Sequence, residues 1–270
     1  MPLILGGCTY SYLWDLPLSD TVRRLAELGF KNFEFMTTFP HCWPRGWSAA
    51  DRAEFRKLYE SLGMHLTSLN PTFLDLNMAS PNPGIREETI TQLRQTIQLA
   101  HDVGAEMVVV SAGKKHPLIA PEFSYFWDLV RGGIESLLPD CERLGVTFCL
   151  ENGWTVITKA EQMVRMAREL SHPRMKLSYD VANATMVESA LEGLELVAND
   201  MVLLHVSDTD DKSWGHNRIG TGVIDFAALT EKVRKIGFTG PTTLEIVDRN
   251  EPDESNRVSL EHMKALGWSV

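Results

Sequence analysis

The 270-residue chain lacks long apolar runs. None approaches the roughly 18 residues of a membrane-spanning helix, so no membrane partner is expected. It is poor in cysteine. Cys8, Cys42, Cys141 and Cys149 form no C-x-x-C pair and have no histidine cluster beside them. That argues against a structural zinc site or a disulfide framework, and for reduced, mostly buried thiols. It is short of positive charge. Lys and Arg total 26 against 36 Asp and Glu, and a net −10 repels phosphate backbones, so nucleic acid is not an expected partner. The first basic residue is Arg23, so no positive start precedes an apolar core. A secretory leader is not expected, and a cytoplasmic location is. The balance of 44% apolar and 23% charged residues excludes disorder.

What the chain does have is a repeating unit. Short apolar segments alternate with segments of helical period. The strand candidates are Leu3–Cys8, Asn32–Met36, His65–Leu69, Met107–Ser111, Thr147–Leu150, Met175–Tyr179, Met201–Leu204 and Thr242–Ile246. Ser48-x-x-Asp51 and Thr158-x-x-Glu161 have capping-box form, and Asp225 can cap the helix that follows it. Gly29, Gly63, Gly104, Gly145 and Gly237 stand where helices should stop. Gly132-Gly133 weakens the expected fourth helix. Eight strand–helix units predict an α/β fold, a single (β/α)8 TIM barrel forming one domain over residues 1–270. An open doubly wound sheet is disfavoured because no G-x-G-x-x-G follows the first strand.

Helix-to-strand connections are short, whereas several strand-to-helix connections are long: Thr37–Trp47, Asn70–Gly84, Ser207–Val223 and Val247–Asn256. The long loops therefore crowd the C-terminal face of the strands, where barrel enzymes keep their chemistry. Four consecutive strands end in ionisable residues: Glu151, Asp180, His205 and Glu245. Three carboxylates so close repel one another, and a divalent cation resolves the conflict. Oxygen donors with one imidazole suit manganese, magnesium, cobalt or zinc. Manganese is the first expectation.

The motifs C-L-E-N (Cys149–Asn152), S-Y-D-V-A-N (Ser178–Asn183), L-L-H-V-S-D (Leu203–Asp208), R-I-G-T-G-V-I-D-F (Arg218–Phe226) and T-L-E-I (Thr243–Ile246) follow in order along the chain. In that order the sequence resembles the xylose isomerase-like superfamily of sugar isomerases and epimerases, and within it the ketose 3-epimerases. The resemblance implies that Glu151, Asp180, His205 and Glu245 hold the metal, that Glu151 and Glu245 transfer protons, and that Arg218 binds substrate oxygens. The family commonly carries D-x-x-H after the sixth strand, its histidine contacting substrate. Here that position is Asn183, which hydrogen-bonds but carries no charge. The loop between His205 and Arg218 is also longer, with Asp208, Asp210, Asp211, Trp214 and His216.

The expected activity is epimerisation of a small carbohydrate, a ketose or keto-polyol, by proton transfer through a metal-stabilised enediolate. An aldose–ketose isomerase or a lyase of the inosose-dehydratase type would use the same scaffold. A sugar-binding barrel without catalysis and an endonuclease are remoter. No Gly-rich phosphate loop or basic cluster is evident, which favours an unphosphorylated substrate. Trp14, Trp43, Trp47 and Trp214 fall in strand-to-helix loops and fit either sugar stacking or a subunit interface, so a homodimer or homotetramer is expected. Trp14 and His116 are further substrate-binding candidates. Glu34, ending the second strand, fits an inward ion pair or a site role, and Asn70 can point into the barrel mouth.

Overall fold

The computed structural model describes residues 2–71, 75–116, 118–210 and 212–270; Asp211 lies outside them. The strands are β1 (Leu3–Cys8), β2 (Asn32–Met36), β3 (His65–Asn70), β4 (Met107–Ser111), β5 (Thr147–Glu151), β6 (Met175–Asp180), β7 (Met201–Val206) and β8 (Thr242–Leu244). All pair in parallel, each with the next, and β1 pairs with both β8 and β2, closing the barrel. A short β9 (Trp268–Ser269) adds in parallel to β1, an element not expected from the sequence.

Helices α1 (Leu18–Glu27), α2 (Ala49–Ser61), α3 (Pro83–Val103), α4 (Phe123–Leu144), α5 (Ala160–Leu170), α6 (Val181–Thr185), α7 (Ala190–Val197), α8 (Phe226–Lys235) and α9 (Pro252–Ala265) fall between the strands and after β8. Strand β2 shows how strand and helix meet. Its sequence Phe33-Glu34-Phe35 alternates, with both phenylalanines turned to the helices, against Tyr59 at 5.6 Å and Phe55 at 5.2 Å. Each such ring contributes about 1.5–3 kcal/mol by burial. Glu34 is thereby turned inward.

The ends of the helices follow their sequence signals. Ser48 and Asp51 form the expected reciprocal box, and Asp225 Oδ1 accepts from Ala228 N. At α5 the expected Thr158–Glu161 box is replaced: Gln162 Oε1 accepts from the backbone N–H of Thr158 and Lys159, because the helix starts later than Thr158 suggests. All five expected helix-stop glycines have positive φ. Helix α4 runs unbroken through Gly132-Gly133. A side chain at Gly133 would crowd Met78, so close packing accounts for that glycine.

Register stacks the inward residues in layers. Glu151 pairs with Ser178; one layer higher Asp180, His205 and Thr243 are level; Glu245 lies beyond Thr243. Below them Met107, Val109, Cys149 and Leu203 form a separate buried cluster that floors the site with apolar side chains.

Candidate active site

One donor atom each from Glu151, Asp180, His205 and Glu245 lies within 4.8 Å of all the others, and all four residues are buried. Glu151, Asp180 and His205 lie inside their strands, not just after them as expected, and Glu245, expected inside the eighth strand, immediately follows the last residue of β8. Glu151 Oε1 stands 2.7 Å and Glu245 Oε2 3.3 Å from His205 Nδ1. Despite that proximity, Glu151 Oε1, His205 Nδ1 and Asp180 Oδ2 have no partner in hydrogen-bond geometry among the described residues. Buried polar atoms are almost always paired. Three donor atoms without a hydrogen-bond partner, converging beside a third carboxylate, that of Glu245, fit a divalent cation held by oxygen and imidazole ligands.

The surrounding hydrogen bonds fix these side chains. Asp180 Oδ1 accepts from Asn183 N at the start of α6, which turns Oδ2 inward. Asn152 clamps the Asp180 backbone through both N and O. Ser111 Oγ donates to Glu151 Oε2. Glu34, fully buried, accepts from Ser68 Oγ, Asn70 Nδ2 and His205 Nε2.

Burial pushes the Glu151 and Asp180 carboxyls above their ordinary values; for Glu151 the His205 charge opposes this, and for Asp180 the His216 charge. Burial pulls His205 down, but Glu34, Glu245 and Glu151 together outweigh it and hold the ring well above its usual value. Glu34 stays below the usual glutamate range because His205, Ser68 and Asn70 outweigh its burial.

Above this group opens a cavity of about 370 Å³. Glu151, Glu245, Asn183 and Asn70 line it. The Asn183 amide is partly committed, its Nδ2 donating to Asn152 O. Trp214 and Trp154 supply aromatic wall; Trp154 was not singled out from the sequence. Tyr10 and His216 also line the cavity. Burial pushes the Tyr10 phenol up to about 12, with Glu245 adding to it. His216 Nδ1 is 3.0 Å from Ser207 Oγ, 3.5 Å from Glu245 Oε2 and 3.7 Å from Asp180 Oδ2.

Other sequence candidates stand elsewhere. Arg218 is not among the cavity-lining residues. Its turn is built on Asp208, whose buried carboxylate accepts from the N–H groups of Thr209, Gly220, Gly222 and Ile224. A Cβ at Gly222 would meet Thr209 O at 2.1 Å, so the second glycine is required for that close approach. His116 Nδ1 accepts from the backbone N–H of Leu118 and Ile119 and does not line the cavity. Trp14 is 63% exposed and outside the lining. Trp47 packs on Phe35 and Phe55, so hydrophobic packing accounts for it. The sequence offered a signal for Glu34, a lone charge between two phenylalanines, but its partner was not visible there. His216 had only its place in an unusually long loop.

Comparisons with known proteins agree with this architecture. A family described as Xylose isomerase-like TIM barrel matches residues 22–266. An uncharacterized protein of Methanocaldococcus jannaschii is 25% identical over 263 residues, covering 94% of this chain and 87% of that protein. The L-ribulose-5-phosphate 3-epimerase UlaE of Shigella flexneri serotype 5b is 24% identical over 194 residues, 71% of this chain and 66% of that protein. Among solved structures, a D-tagatose 3-epimerase-like protein superposes with a TM-score of 0.85 at 21% identity, covering 98% of both chains. An L-ribulose 3-epimerase superposes at 0.81 with 19% identity, covering 98% of this chain and 94% of that one. At these identities the structural likeness concerns the fold. Through its family match across nearly the whole barrel, this chain belongs to the xylose isomerase-like TIM barrels.

Proposed function

We propose that the protein is a divalent-metal-dependent epimerase of an unphosphorylated ketose or keto-polyol. The observation that carries this reading is the convergence of Glu151, Asp180, His205 and Glu245 beneath one cavity, with three of their donor atoms lacking a hydrogen-bond partner among the described residues. These four residues hold the cation, with manganese the first expectation. When bound, it polarises a substrate carbonyl and the neighbouring hydroxyl, which lowers the cost of removing the proton between them.

The protein's own groups carry the proton. Glu151 ends β5 and Glu245 follows β8, and both line the cavity. One takes the proton from the carbon beside the carbonyl, and the other returns a proton to the opposite face of that carbon. The net change is inversion at one centre, with no atom gained or lost. Burial favours the protonated form of Glu151, which suits a group that must hold a proton between steps. Asn183 and His216 offer hydrogen bonds to substrate oxygens, and Trp154 and Trp214 offer faces for the sugar carbons. Arg218, His116 and Trp14 remain candidates for substrate contact in a bound form.

Among the described lining residues there is no lysine or arginine to hold a phosphate group. That supports a neutral substrate, in contrast to the phosphorylated sugar named for the Shigella relative. Four free, buried cysteines fit a reducing cytoplasm. Exposed Trp14, Phe39 and Trp43 support a homo-oligomer, which sedimentation would test.

The test is solvent exchange. Manganese-loaded protein and a chelated control are incubated in heavy water with ketoses and keto-polyols, among them D-tagatose and L-ribulose, and carbon-bound hydrogen is followed by NMR. Metal-dependent deuterium uptake beside the carbonyl with inversion is expected. Loss of water would make the protein a lyase. Absence of uptake across the panel would sink the proton-transfer reading.

A further inference from the structure

We propose that Glu34 is a positioning residue: it holds the His205 proton on Nε2 and thereby makes Nδ1 the metal-donor atom. The inference rests on the reading that the four-residue group holds a divalent cation. It concerns a strand on the far side of the sequence, since Glu34 and His205 are 171 residues apart.

The geometry is specific. Both side chains are completely buried. His205 Nε2 is 3.1 Å from Glu34 Oε2, while Nδ1 faces Glu151 Oε1 and Glu245 Oε2. A carboxylate can only accept, so Nε2 must be the donor. A neutral imidazole then has its lone pair on Nδ1, the form a metal ligand needs.

Glu34 is itself held from the other side. Ser68 Oγ donates to Oε2 at 2.7 Å and Asn70 Nδ2 to Oε1 at 3.0 Å. Its sequence position explains its direction, because Phe33 and Phe35 pack outward against α2 and leave the middle residue no choice but the interior. Glu34 also lies within 4.8 Å of Cys8 and Glu245, a grouping that could pass for a second cation site. Three hydrogen-bond donors already occupy its two oxygens, which assigns it to the imidazole instead.

The experiment uses zinc as a diamagnetic probe on protein with 15N-labelled histidine. Long-range 1H–15N spectra report which ring nitrogen carries the proton, and the His205 signals are identified by their loss in His205→Gln. In zinc-loaded wild type, the proton is expected on Nε2 and the metal on Nδ1. Glu34→Gln is expected to weaken zinc binding about 10–100-fold in a chelator competition and to blur the single ring state. Ser68→Ala, which removes only one bond to Glu34, is expected to show a smaller loss in the same direction.

Zinc on Nε2 overturns the inference, as does a folded Glu34→Gln protein that binds zinc within about twofold of wild type, against the loss expected of a lost ligand partner. If Glu34→Gln does not fold, the wild-type ring spectrum decides alone. If wild type binds no zinc, the metal reading itself fails and this inference falls with it. Zinc binding unaltered by Glu34→Gln fails only the inference.

Discussion

Glu151 Oε1 and His205 Nδ1 stand 2.7 Å apart in the barrel interior without a hydrogen bond between them. Asp180 Oδ2 also lacks a hydrogen-bond partner among the described residues, and a donor atom of each of the three residues lies within 4.8 Å of the others. A cation there would satisfy all three at once. Manganese at about 100 times its dissociation constant should therefore add ~2.7 kcal/mol of stability. For a chain of this size that is a rise of roughly 5–10 °C in Tm. Asp180→Asn keeps an acceptor for the start of α6 but removes the charge, and should abolish most of that rise. Scanning calorimetry with and without manganese checks both.

The two glutamates should fail differently from a simple loss of activity. With either one replaced by Gln, epimerisation should fall by about 10²–10⁴-fold. The remaining glutamate still reaches one face of the carbon. Each variant should exchange solvent deuterium into one epimer faster than it inverts that epimer. NMR of recovered substrate in heavy water measures the two rates together; equal loss of both in each variant would argue for a single base.

Charge at the cavity wall should govern substrate choice. A phosphate ester finds no described lysine or arginine on the lining to hold its charge. A free ketose should be turned over with a kcat/KM roughly tenfold or more above its phosphate ester. Competition between the two forms in one reaction gives the ratio directly. A preference for the ester would point to a cation reaching the cavity from outside its present lining.

Stability should depend on acid through Asp140. Its carboxylate joins α3 to α4, 2.8 Å from Arg94 on one oxygen and 2.8 Å from Arg143 on the other. The hydrogen bond from Arg143 holds it below the ordinary 3.8; burial opposes this, and Arg94 adds to the lowering. The folded value lies below the unfolded one, so this stabilisation is complete above the unfolded value and fades as pH falls through the folded one. Asp140→Asn should cost up to about 1 kcal/mol near neutrality, or roughly 2–4 °C in Tm. The gap between variant and wild type should close in acid and narrow at high salt. Thermal melts across a pH series test it.

Much of the site is legible along the chain. The alternation of strands and helices, the glycines with positive φ after helices, and the order of Glu151, Asp180, His205 and Glu245 at strand ends are local signals. They are local because side-chain period and helix-stop chemistry act over a few residues. The chain cannot show what faces what across the barrel. Nothing near Phe33-Glu34-Phe35 indicates that its carboxylate meets His205, because strand register and barrel closure bring them together.

Loops mark the other boundary. Their length pointed to the right face of the barrel, but not to which side chains enter the cavity. Asp208 gathers four backbone N–H groups and so builds the turn after Arg218, leaving His216 and Trp214 on the cavity wall and Arg218 off it. Trp14 and Trp154 look alike as loop tryptophans, yet only Trp154 lines the cavity. The fold class and the strand-end ligand candidates are readable along the chain, because short-range periodicity sets where strands stop. How those candidates are held and what walls the cavity emerge only on folding, because they depend on hydrogen bonds and packing between residues far apart in the chain.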